Sequence, residues 1–324
     1  MRPCRLLLTI AAAVTIALTT LSAQRSARID VTRMMTVVRT LASPAMEGRL
    51  AGTDGDRMAR QYIRDAFEEI GLQPAGSDVT DRRNSYYQRF SFTSAAPGSR
   101  RGSLPVRVDD AANVVGRIAG RDVPARVIVV SAHYDHVGIR NGTVYPGADD
   151  NASGVAALLE CARYLRQQAP RHTILFVAFD GEELGLQGAR TFVRMPPVRL
   201  SSIALDLNFD MVSRSNRGEI FAAGTYHYPS LKPILDDIQR RTQIKIQFGH
   251  DRPPALPHST DDWTLQSDHG AFHQAGVPFV YFGVEDHPDY HAPTDTADRI
   301  DPAFFGRVAE MLLDAVITFD QRLP

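Results

Sequence analysis

The sequence predicts a single α/β domain with a doubly wound, mostly parallel central sheet and helices on both faces. Apolar stretches alternate with amphipathic ones along most of the chain, which is typical of strands separated by helices. The stretch Val127-Ile128-Val129-Val130 is continuously apolar, as in a strand buried on both faces of a parallel sheet. Polar clusters follow several apolar stretches, and open α/β sheets hold their ligand sites at such strand ends.

Composition supports one large core and argues against a polyanionic partner. The chain has 324 residues, of which 44% are hydrophobic and 23% are charged, with a formal net charge of -1. Basic residues form only short pairs such as Arg82-Arg83. Nucleic acid is therefore not an expected partner.

The N-terminus has the pattern of a secretory signal peptide. A basic start precedes an apolar run from Leu6 to Leu21, and the small residues Ser22 and Ala23 follow it. We predict a signal peptide over residues 1–23 and a catalytic domain over residues 24–324, with no stable membrane association after cleavage. The alternative, an uncleaved anchor, is disfavoured because the run is shorter than the ~18 residues of a spanning helix.

Cysteine usage follows from that cleavage. Cys4 would leave with the signal peptide, so Cys161 would be the only thiol and no intrachain disulfide could form. Cys161 falls on the apolar face of a predicted helix, which favours a buried, inert thiol.

Two amphipathic helices are predicted first. The first covers Ile29 to Leu41, where apolar residues recur at helical spacing. The second is capped by Thr53 and stopped by Gly71. Its apolar stripe consists of Met58, Tyr62, Ile63, Ala66, Phe67 and Ile70.

A surface connection and the first strands come next. Gln73 to Arg107 is rich in Ser, Arg, Gly and Pro and contains one predicted strand, Tyr87 to Phe92. Asn113 to Ile118 and Arg126 to Val130 are predicted strands separated by a Gly-Arg-Asp turn.

The rest of the chain alternates between helices and strands. The predicted elements are a helix from Ser153 to about Gln168, a strand Thr173 to Phe179, a helix after Gly185, a strand Ile203 to Asn208, helices Leu231 to Arg240 and Asp268 to Ala275, a strand Val277 to Phe282, and a helix from Pro302 to about Phe319. The segment Gln247 to Trp263 lacks periodicity and is either a roof over the cleft or inert surface.

Imidazoles and carboxylates follow the predicted strands. Singly, each has an ordinary explanation, such as a helix-capping Asp, a solvated Glu or a loop His. The expected positions are His133 and Asp135 after one strand, Asp150 at the next helix, Glu182 and Glu183 after the second strand, Asp210 at the end of the third, and His291 beyond the fourth. Because carboxyl ends of parallel strands share one edge, these groups are expected to converge.

A mixed set of imidazoles and carboxylates is the ligand type that Zn²⁺ takes, and a bridging carboxylate lets five ligands serve two ions. Two such ions can hold a hydroxide between them and polarise a carbonyl. Asp135 is better placed to hold the other ring nitrogen of His133 than to bind metal. Of the adjacent pair Glu182 and Glu183, one is expected to bind metal and the other to transfer the proton.

The motifs resemble those of the secreted di-zinc aminopeptidases, whose superfamily includes glutamate carboxypeptidase II, the transferrin receptors and the glutaminyl cyclases. The resemblance spans nearly the whole chain after the signal segment. It rests on His133-x-Asp135, Gly147-Ala148-Asp149-Asp150-Asn151-Ala152-Ser153-Gly154, Asp180-Gly181-Glu182-Glu183-x-Gly185-x-x-Gly188, Asn208-Phe209-Asp210-Met211, Ser267-Asp268-His269, Tyr290-His291 and Met46-Glu47-Gly48-Arg49.

The resemblance implies a role for each matching residue. His133 and Asp210 would bind one zinc, Glu183 and His291 the other, and Asp150 would bridge them, with Asp149 as the competing bridge. Glu182 would be the general base, Tyr290 would help to stabilise the oxyanion, and the peptide between Asp150 and Asn151 would be cis. The implied cofactor is two Zn²⁺ per chain.

One position departs from the family pattern. Many relatives have Ser where this chain has His136, for which we favour a place beside the metals or in the cleft over a ligand role. His269 and His273 are expected to pack or to form hydrogen bonds on a helix. The remaining histidines are expected in loops or at the surface: His172, His227, His250, His258 and His287.

The predicted function is an exported metallo-aminopeptidase acting on peptides with a free N-terminus. A glutaminyl cyclase would share the fold but use one zinc without hydrolysis, and a carboxypeptidase would use Arg214 or Arg217 to face a substrate carboxylate. The acidic run Glu285-Asp286-His287-Pro288-Asp289 favours a free amine. A non-catalytic binding protein is disfavoured because no expected ligand is missing.

Overall fold

The computed structural model describes residues 28–78, 84–94, 105–253 and 261–324. The predicted signal peptide, residues 1–23, lies outside the described residues, as do Cys4, Arg82-Arg83 and His258.

The helices occur where the apolar periodicity predicts them, with ends shifted by a few residues. Within the described ranges they are α1 Val31–Leu41, α2 Asp54–Ile70, α3 Gly154–Leu165, α4 Gln187–Arg194, α5 Lys232–Arg241, α6 His269–Gln274 and α7 Pro302–Arg322.

The strands include each one predicted from the sequence and several short ones that were not. In the described part of the chain they are β1 Gln73–Pro74, β2 Tyr87–Ser94, β3 Val106–Ile118, β4 Val123–His133, β5 Ile139–Arg140, β6 Thr143–Val144, β7 His172–Phe179, β8 Ile203–Phe209, β9 Glu219–Ala223, β10 Lys245–Phe248 and β11 Phe279–Gly283.

The strands form one large sheet with a parallel centre. Its order is β1-β3-β7-β4-β8-β11-β9-β10, with β2 also paired to β3, while β5 and β6 form a separate hairpin. β7, β4, β8 and β11 run parallel, whereas β3 and β9 are antiparallel to the centre. The prediction of a mostly parallel sheet is confirmed.

Side chains of the central strands alternate between two apolar cores. Ile128 and Val130 of β4 belong to a large core with α1, α3 and α7, whereas Val127 and Val129 belong to a smaller core with α4 and α6. Burial on both faces explains why this strand is apolar at consecutive positions. The expected helices on both faces are therefore present.

The predicted caps of α2 are present, but its apolar stripe is narrower than expected. The Thr53 side chain accepts a hydrogen bond from the Asp56 amide, and Gly71 ends the helix with φ 82°. Met58, predicted on the buried stripe, is 41% exposed. Ile63 and Phe67 are fully buried and form the contact with the core.

Two further expectations concern burial. Cys161 is buried in α3, as predicted, and burial raises the pKa of its thiol. His172 is also buried, not at the surface, because it begins β7 and contacts the Asp320 carboxylate at 3.1 Å. Among the described residues, no helix combines the length and the apolar character needed to cross a membrane.

Candidate active site

Four parallel strands bring the predicted site residues to one edge of the sheet. β4 ends at His133, Asp180 to Glu183 follow β7, Asp210 follows β8, and His291 lies in the segment after β11. Neighbouring strands in this part of the sheet are in parallel register, so these carboxyl ends lie side by side.

The first group of donor atoms comes from three side chains. Nε2 of His133 lies 3.2 Å from Asp210 Oδ1 and 3.3 Å from Asp150 Oδ1. All three residues are buried. These three side chains are a group that could hold a metal ion.

The second group contains four side chains. Nε2 of His291 lies 3.1 Å from both Asp150 Oδ2 and Glu183 Oε1. Nδ1 of His136 lies 2.8 Å from Glu183 Oε1 and 3.7 Å from Asp150 Oδ2. These four side chains also could hold a metal ion.

The donor spacing fits zinc. With zinc-to-ligand distances of ~2.0–2.2 Å, two ligands of one tetrahedral or five-coordinate ion lie ~2.9–3.5 Å apart. Most of the distances above fall in or near this range. Asp150 offers Oδ1 to the first group and Oδ2 to the second, which is the arrangement that a bridging carboxylate requires.

The electrostatic potential of the site is negative. Burial lowers the pKa of His291, but the carboxylates of Asp150 and Glu183 outweigh it and raise this pKa to about 10. Burial also lowers the pKa of His133, but Asp210 and Glu182 outweigh it and the pKa lies well above its usual value. Burial and Asp150 oppose ionisation of Glu183, but His136 and His291 lower its pKa to about 2. Such a site attracts cations, and metal ions can take the place of the protons.

The loop that carries Asp150 is fixed by contacts from distant residues. Both oxygens of Asp295 accept from the Asp149 amide at 3.1 Å, and one also accepts from the Asp150 amide. The Asn151 side chain donates to the Phe209 carbonyl at 2.9 Å, which ties the loop to the end of β8. The Asp150–Asn151 peptide is cis, as the resemblance implies.

Asp149, the competing bridge, faces elsewhere. Its Oδ1 accepts from the Ser213 amide and hydroxyl, and its Oδ2 contacts His287 Nε2 at 3.0 Å. His287, expected in a loop or at the surface, is thus a partly buried partner of Asp149. The geometry favours Asp150 as the bridge.

Asp135 is positioned differently from the expectation. Nδ1 of His133 lies 3.2 Å from the backbone carbonyl of Asp135 and 3.8 Å from its carboxylate, so the nearer acceptor is the carbonyl. The carboxylate instead accepts from the Glu182 and Glu183 amides at 3.0 and 3.3 Å. Asp135 therefore fixes the turn that carries both glutamates.

A cleft opens over the two donor groups. Its lining among the described residues consists of His133, Asp150, Glu182, Asp210, Met211, Trp263, Gln266, Tyr281, Val284, Asp286, Tyr290 and His291. Burial, reinforced by Glu183 and Asp268, raises the pKa of Glu182 well above its usual value in spite of His133. The Tyr290 ring stacks on His291 with centroids 4.0 Å apart.

The segment Gln247 to Trp263 contributes to the cleft. Trp263 lines it and stacks on His250 with ring centroids 3.8 Å apart. Residues 254–260 of this segment lie outside the described residues. Of the alternatives left open by the sequence, a role at the cleft is supported for Trp263.

Arg49 was missed as a site residue by sequence reasoning. It is fully buried, and its guanidinium donates to the carbonyls of Tyr134, Leu41, Pro146 and Gly147. It thus joins the segment after β4 to the loop before Asp150. The motif Met46-Glu47-Gly48-Arg49 was a signal of family resemblance only, because three of the four carbonyls that Arg49 contacts, those of Tyr134, Pro146 and Gly147, are distant in sequence.

The other histidines have structural partners. Nε2 of His269 lies 2.8 Å from the Trp263 carbonyl and Nδ1 of His273 lies 2.9 Å from the Tyr228 hydroxyl, as expected of packing residues on a helix. His227 lies 2.9 Å from Thr264 Oγ1.

The fold and the two donor groups define an α/β protein with a candidate metal centre at the carboxyl edge of its sheet. Comparison with known proteins identifies the family to which the chain belongs. The model of peptidase family M28 matches residues 113–316, and the chain belongs to this family. The expected resemblance to the zinc aminopeptidase superfamily is therefore confirmed.

The chain is also similar in sequence to a probable zinc metalloprotease and to an aminopeptidase. A probable zinc metalloprotease of Pyrenophora tritici-repentis is 32% identical over 268 residues, covering 72% of this chain and 57% of the relative. Aminopeptidase YwaD of Bacillus subtilis is 28% identical over 204 residues, covering 59% of this chain and 40% of the relative. The chain spans about half the length of the curated relatives it matches.

A solved structure shares the fold. BSAP, a zinc aminopeptidase from Bacillus subtilis, superposes with a TM-score of 0.65 at 18% identity, covering 90% of this chain and 95% of that one. At this level of identity the similarity shows the fold alone. It agrees with the predicted fold class.

Proposed function

We propose that this protein is an exported aminopeptidase that uses two zinc ions to remove N-terminal residues from peptides. The observation that carries the proposal is the pair of donor groups that share Asp150, one oxygen facing each group. Family membership supports peptide-bond hydrolysis as the reaction.

The proposed metal ligands are the five predicted from the sequence. His133 and Asp210 would hold one zinc, Glu183 and His291 the other, and Asp150 both. When bound, zinc would acidify a water molecule and polarise the substrate carbonyl.

Glu182 is the proposed general base. It lines the cleft together with His133, Asp150 and Asp210 of the first donor group. A raised pKa suits a group that must accept a proton from water and return it to the leaving amine.

Two further residues support this chemistry in the proposal. Asp135 is a positioning residue, because it fixes the backbone of Glu182 and Glu183. Tyr290 lines the cleft and stacks on His291, and in the proposal it would donate a hydrogen bond to a developing oxyanion.

The charge of the cleft supports a free amine as the group recognised. Among the described residues that line it, none is Arg or Lys, and Asp286 adds a carboxylate. Arg214 pairs with Asp289 at 2.6 Å, and Arg217 is directed at Glu219 with a largely exposed side chain. Neither arginine is free in the cleft to bind a substrate carboxylate.

Metal content and substrate selectivity test the function. Purified protein should contain two zinc ions per chain and hydrolyse aminoacyl anilides, and N-acetylation of the anilide should abolish hydrolysis. Cyclisation of N-terminal glutaminyl peptides without hydrolysis would instead indicate a glutaminyl cyclase. Absence of all these activities in a zinc-loaded protein would refute the proposal.

Export is proposed from the N-terminal segment alone. The basic start, the apolar run and the small residues before residue 24 support cleavage after Ala23. Mass spectrometry of the protein from an exporting host should find Gln24 at the N-terminus. An intact Met1 in the membrane fraction would show an anchor instead.

A further inference from the structure

We propose that His136 is a fourth protein ligand of the second zinc, through Nδ1, which makes the two metal sites unequal. The second site would then have four protein donors, from His136, Asp150, Glu183 and His291, against three in the first. The proposal rests on the two-metal site of the proposed function. It replaces the sequence-based preference for a place of His136 beside the metals.

The position of Nδ1 relative to the other donors supports coordination. It lies 2.8 Å from Glu183 Oε1 and 3.7 Å from Asp150 Oδ2, and the four donor atoms all lie within 4.8 Å of one another. The ring meets that of His291 edge-on, with centroids 5.6 Å apart. The two imidazoles thus flank the same carboxylates, one from the segment after β4 and one from the segment after β11.

The short contact between His136 and Glu183 is a close charge contact that lacks the alignment of a hydrogen bond. In spite of the 2.8 Å separation, neither His136 Nδ1 nor Glu183 Oε1 has a hydrogen-bond partner of acceptable geometry among the described residues. Buried polar atoms that lack a well-aligned hydrogen bond are costly, and few such groups occur in folded proteins. A cation bound to both atoms would satisfy both.

The ring is held in place before any metal binds. His136 is fully buried, and its amide donates to the Arg49 carbonyl at 3.2 Å. Gly147 lies against the ring, and a Cβ at that position would come within 2.6 Å of two ring atoms. Gly147 has φ +59°, so its lack of a side chain suits both the backbone and the packing of the imidazole.

Unequal donor numbers imply ordered loading. The site with four protein donors should fill first, and the site of His133, Asp150 and Asp210 should fill second and retain more open coordination positions. The open positions for substrate would then lie on the side of the cleft next to Glu182.

Zinc titration of the metal-free protein, combined with X-ray absorption at the zinc edge, tests the proposal. With one equivalent of zinc, the wild-type protein should show two imidazole ligands per zinc. His136→Ala should show one, and its affinity for the first equivalent should fall by more than the roughly 100-fold that loss of an outer hydrogen bond costs.

His136→Asn is the matched control. The asparagine amide retains an N–H donor near the position of Nδ1 but is a poor zinc ligand, so this variant should lose affinity as His136→Ala does. Wild-type affinity in His136→Asn, or one imidazole per zinc in the wild type, would overturn the proposal. Thermal unfolding of the metal-free variants tests whether they are folded. If His136→Ala does not fold, the zinc affinity of His136→Asn and the X-ray absorption spectrum of the wild type decide whether His136 is a ligand.

The outcome is separable from that of the proposed function. If the protein binds two zinc ions and cleaves aminoacyl anilides while His136→Asn binds zinc normally, only the role of His136 is wrong. If the protein binds no zinc or cleaves none of the substrates, the proposed function itself fails.

Discussion

Replacing Arg49 should destabilise the protein more than any exposed charge would. The side chain is fully buried and donates to four backbone carbonyls from three separate segments. Arg49→Met keeps much of the apolar volume but removes every donor. Arg49→Lys keeps the charge but has a compact ammonium that cannot reach all four carbonyls with the fixed fork of a guanidinium.

The magnitude follows from the four carbonyls. Each buried acceptor left without a partner costs about 1–3 kcal/mol, so the four together lose on the order of 4–8 kcal/mol if water enters part of the space. Burial lowers the pKa of Arg49, and nearby carboxylates raise it in part, so that it lies at about 10 and the side chain is charged at neutral pH. These carboxylates are those of Asp150, Asp135, Asp295 and Glu183. Removing this charge also leaves those carboxylates without their buried cation. A domain is stable by only about 5–15 kcal/mol, so the loss is a large fraction of the total.

Urea unfolding of the metal-free proteins, followed by circular dichroism, measures the effect. The midpoint should fall steeply for Arg49→Met and by a smaller amount for Arg49→Lys, with the slope unchanged. Arg57→Met is the control, because Arg57 lies at the surface and, in the part of the chain that the structure describes, its hydrogen bonds are to Asp54 and to the nearby Gly52 carbonyl. A loss below about 2 kcal/mol for Arg49→Met would refute the reasoning.

Three further predictions concern the base, the metals and a buried histidine. Glu182→Gln should retain both zinc ions but lose about 10²–10⁴-fold in kcat, measured on an aminoacyl anilide with metal content determined in parallel, and a near-normal rate would exclude Glu182 as the base. Zinc at about 100 times its Kd should raise the free energy of unfolding by about 2.7 kcal/mol per site, and an unfolding midpoint insensitive to chelation would count against both sites. Burial lowers the pKa of His269 to about 3 in the folded protein, whereas an unfolded histidine binds a proton near pH 6.5. The free energy of unfolding therefore falls as the pH is lowered below about 6.5, because only the unfolded chain takes up this proton. Between about pH 7 and about pH 5, the wild type should lose about 2 kcal/mol more than His269→Gln, and parallel stability curves would contradict this.

The parallel centre of the sheet could be predicted from the sequence because burial on two faces leaves a local signature. Val127 to Val130 is apolar throughout, and in the structure alternate residues enter opposite cores. The strands β9 and β10 leave a weaker signature than β2 and β3, which form the opposite, antiparallel edge of the sheet and were predicted. β9 and β10 are five and four residues long, and β10 is half-exposed at the end of the sheet, so neither shows a pattern that differs from a loop.

The site was predictable to the extent that its residues follow strands. The predicted strand ends place His133, Glu183 and Asp210 at one edge of the sheet, and in the structure their donor atoms belong to the two neighbouring groups that share Asp150. The contacts that fix these groups were not predictable in the same way. The Asp295 carboxylate accepts a hydrogen bond from the Asp150 amide, 145 positions away in the sequence, and no local pattern connects two such positions.

The residues that support the site share one physical task, which is to hold backbone rather than metal. Arg49 binds carbonyls, while Asp135 and Asp295 bind amides, so donors and acceptors of the turns that carry His136, Asp150 and Glu183 are satisfied without using the side chains that face the cleft. The side chains facing the cleft therefore remain available to a cation, and in its absence protonated imidazoles lie against the carboxylates. Because the backbone is already paired, the turns need not rearrange when metal ions replace those protons, so the donor atoms are pre-organised for binding.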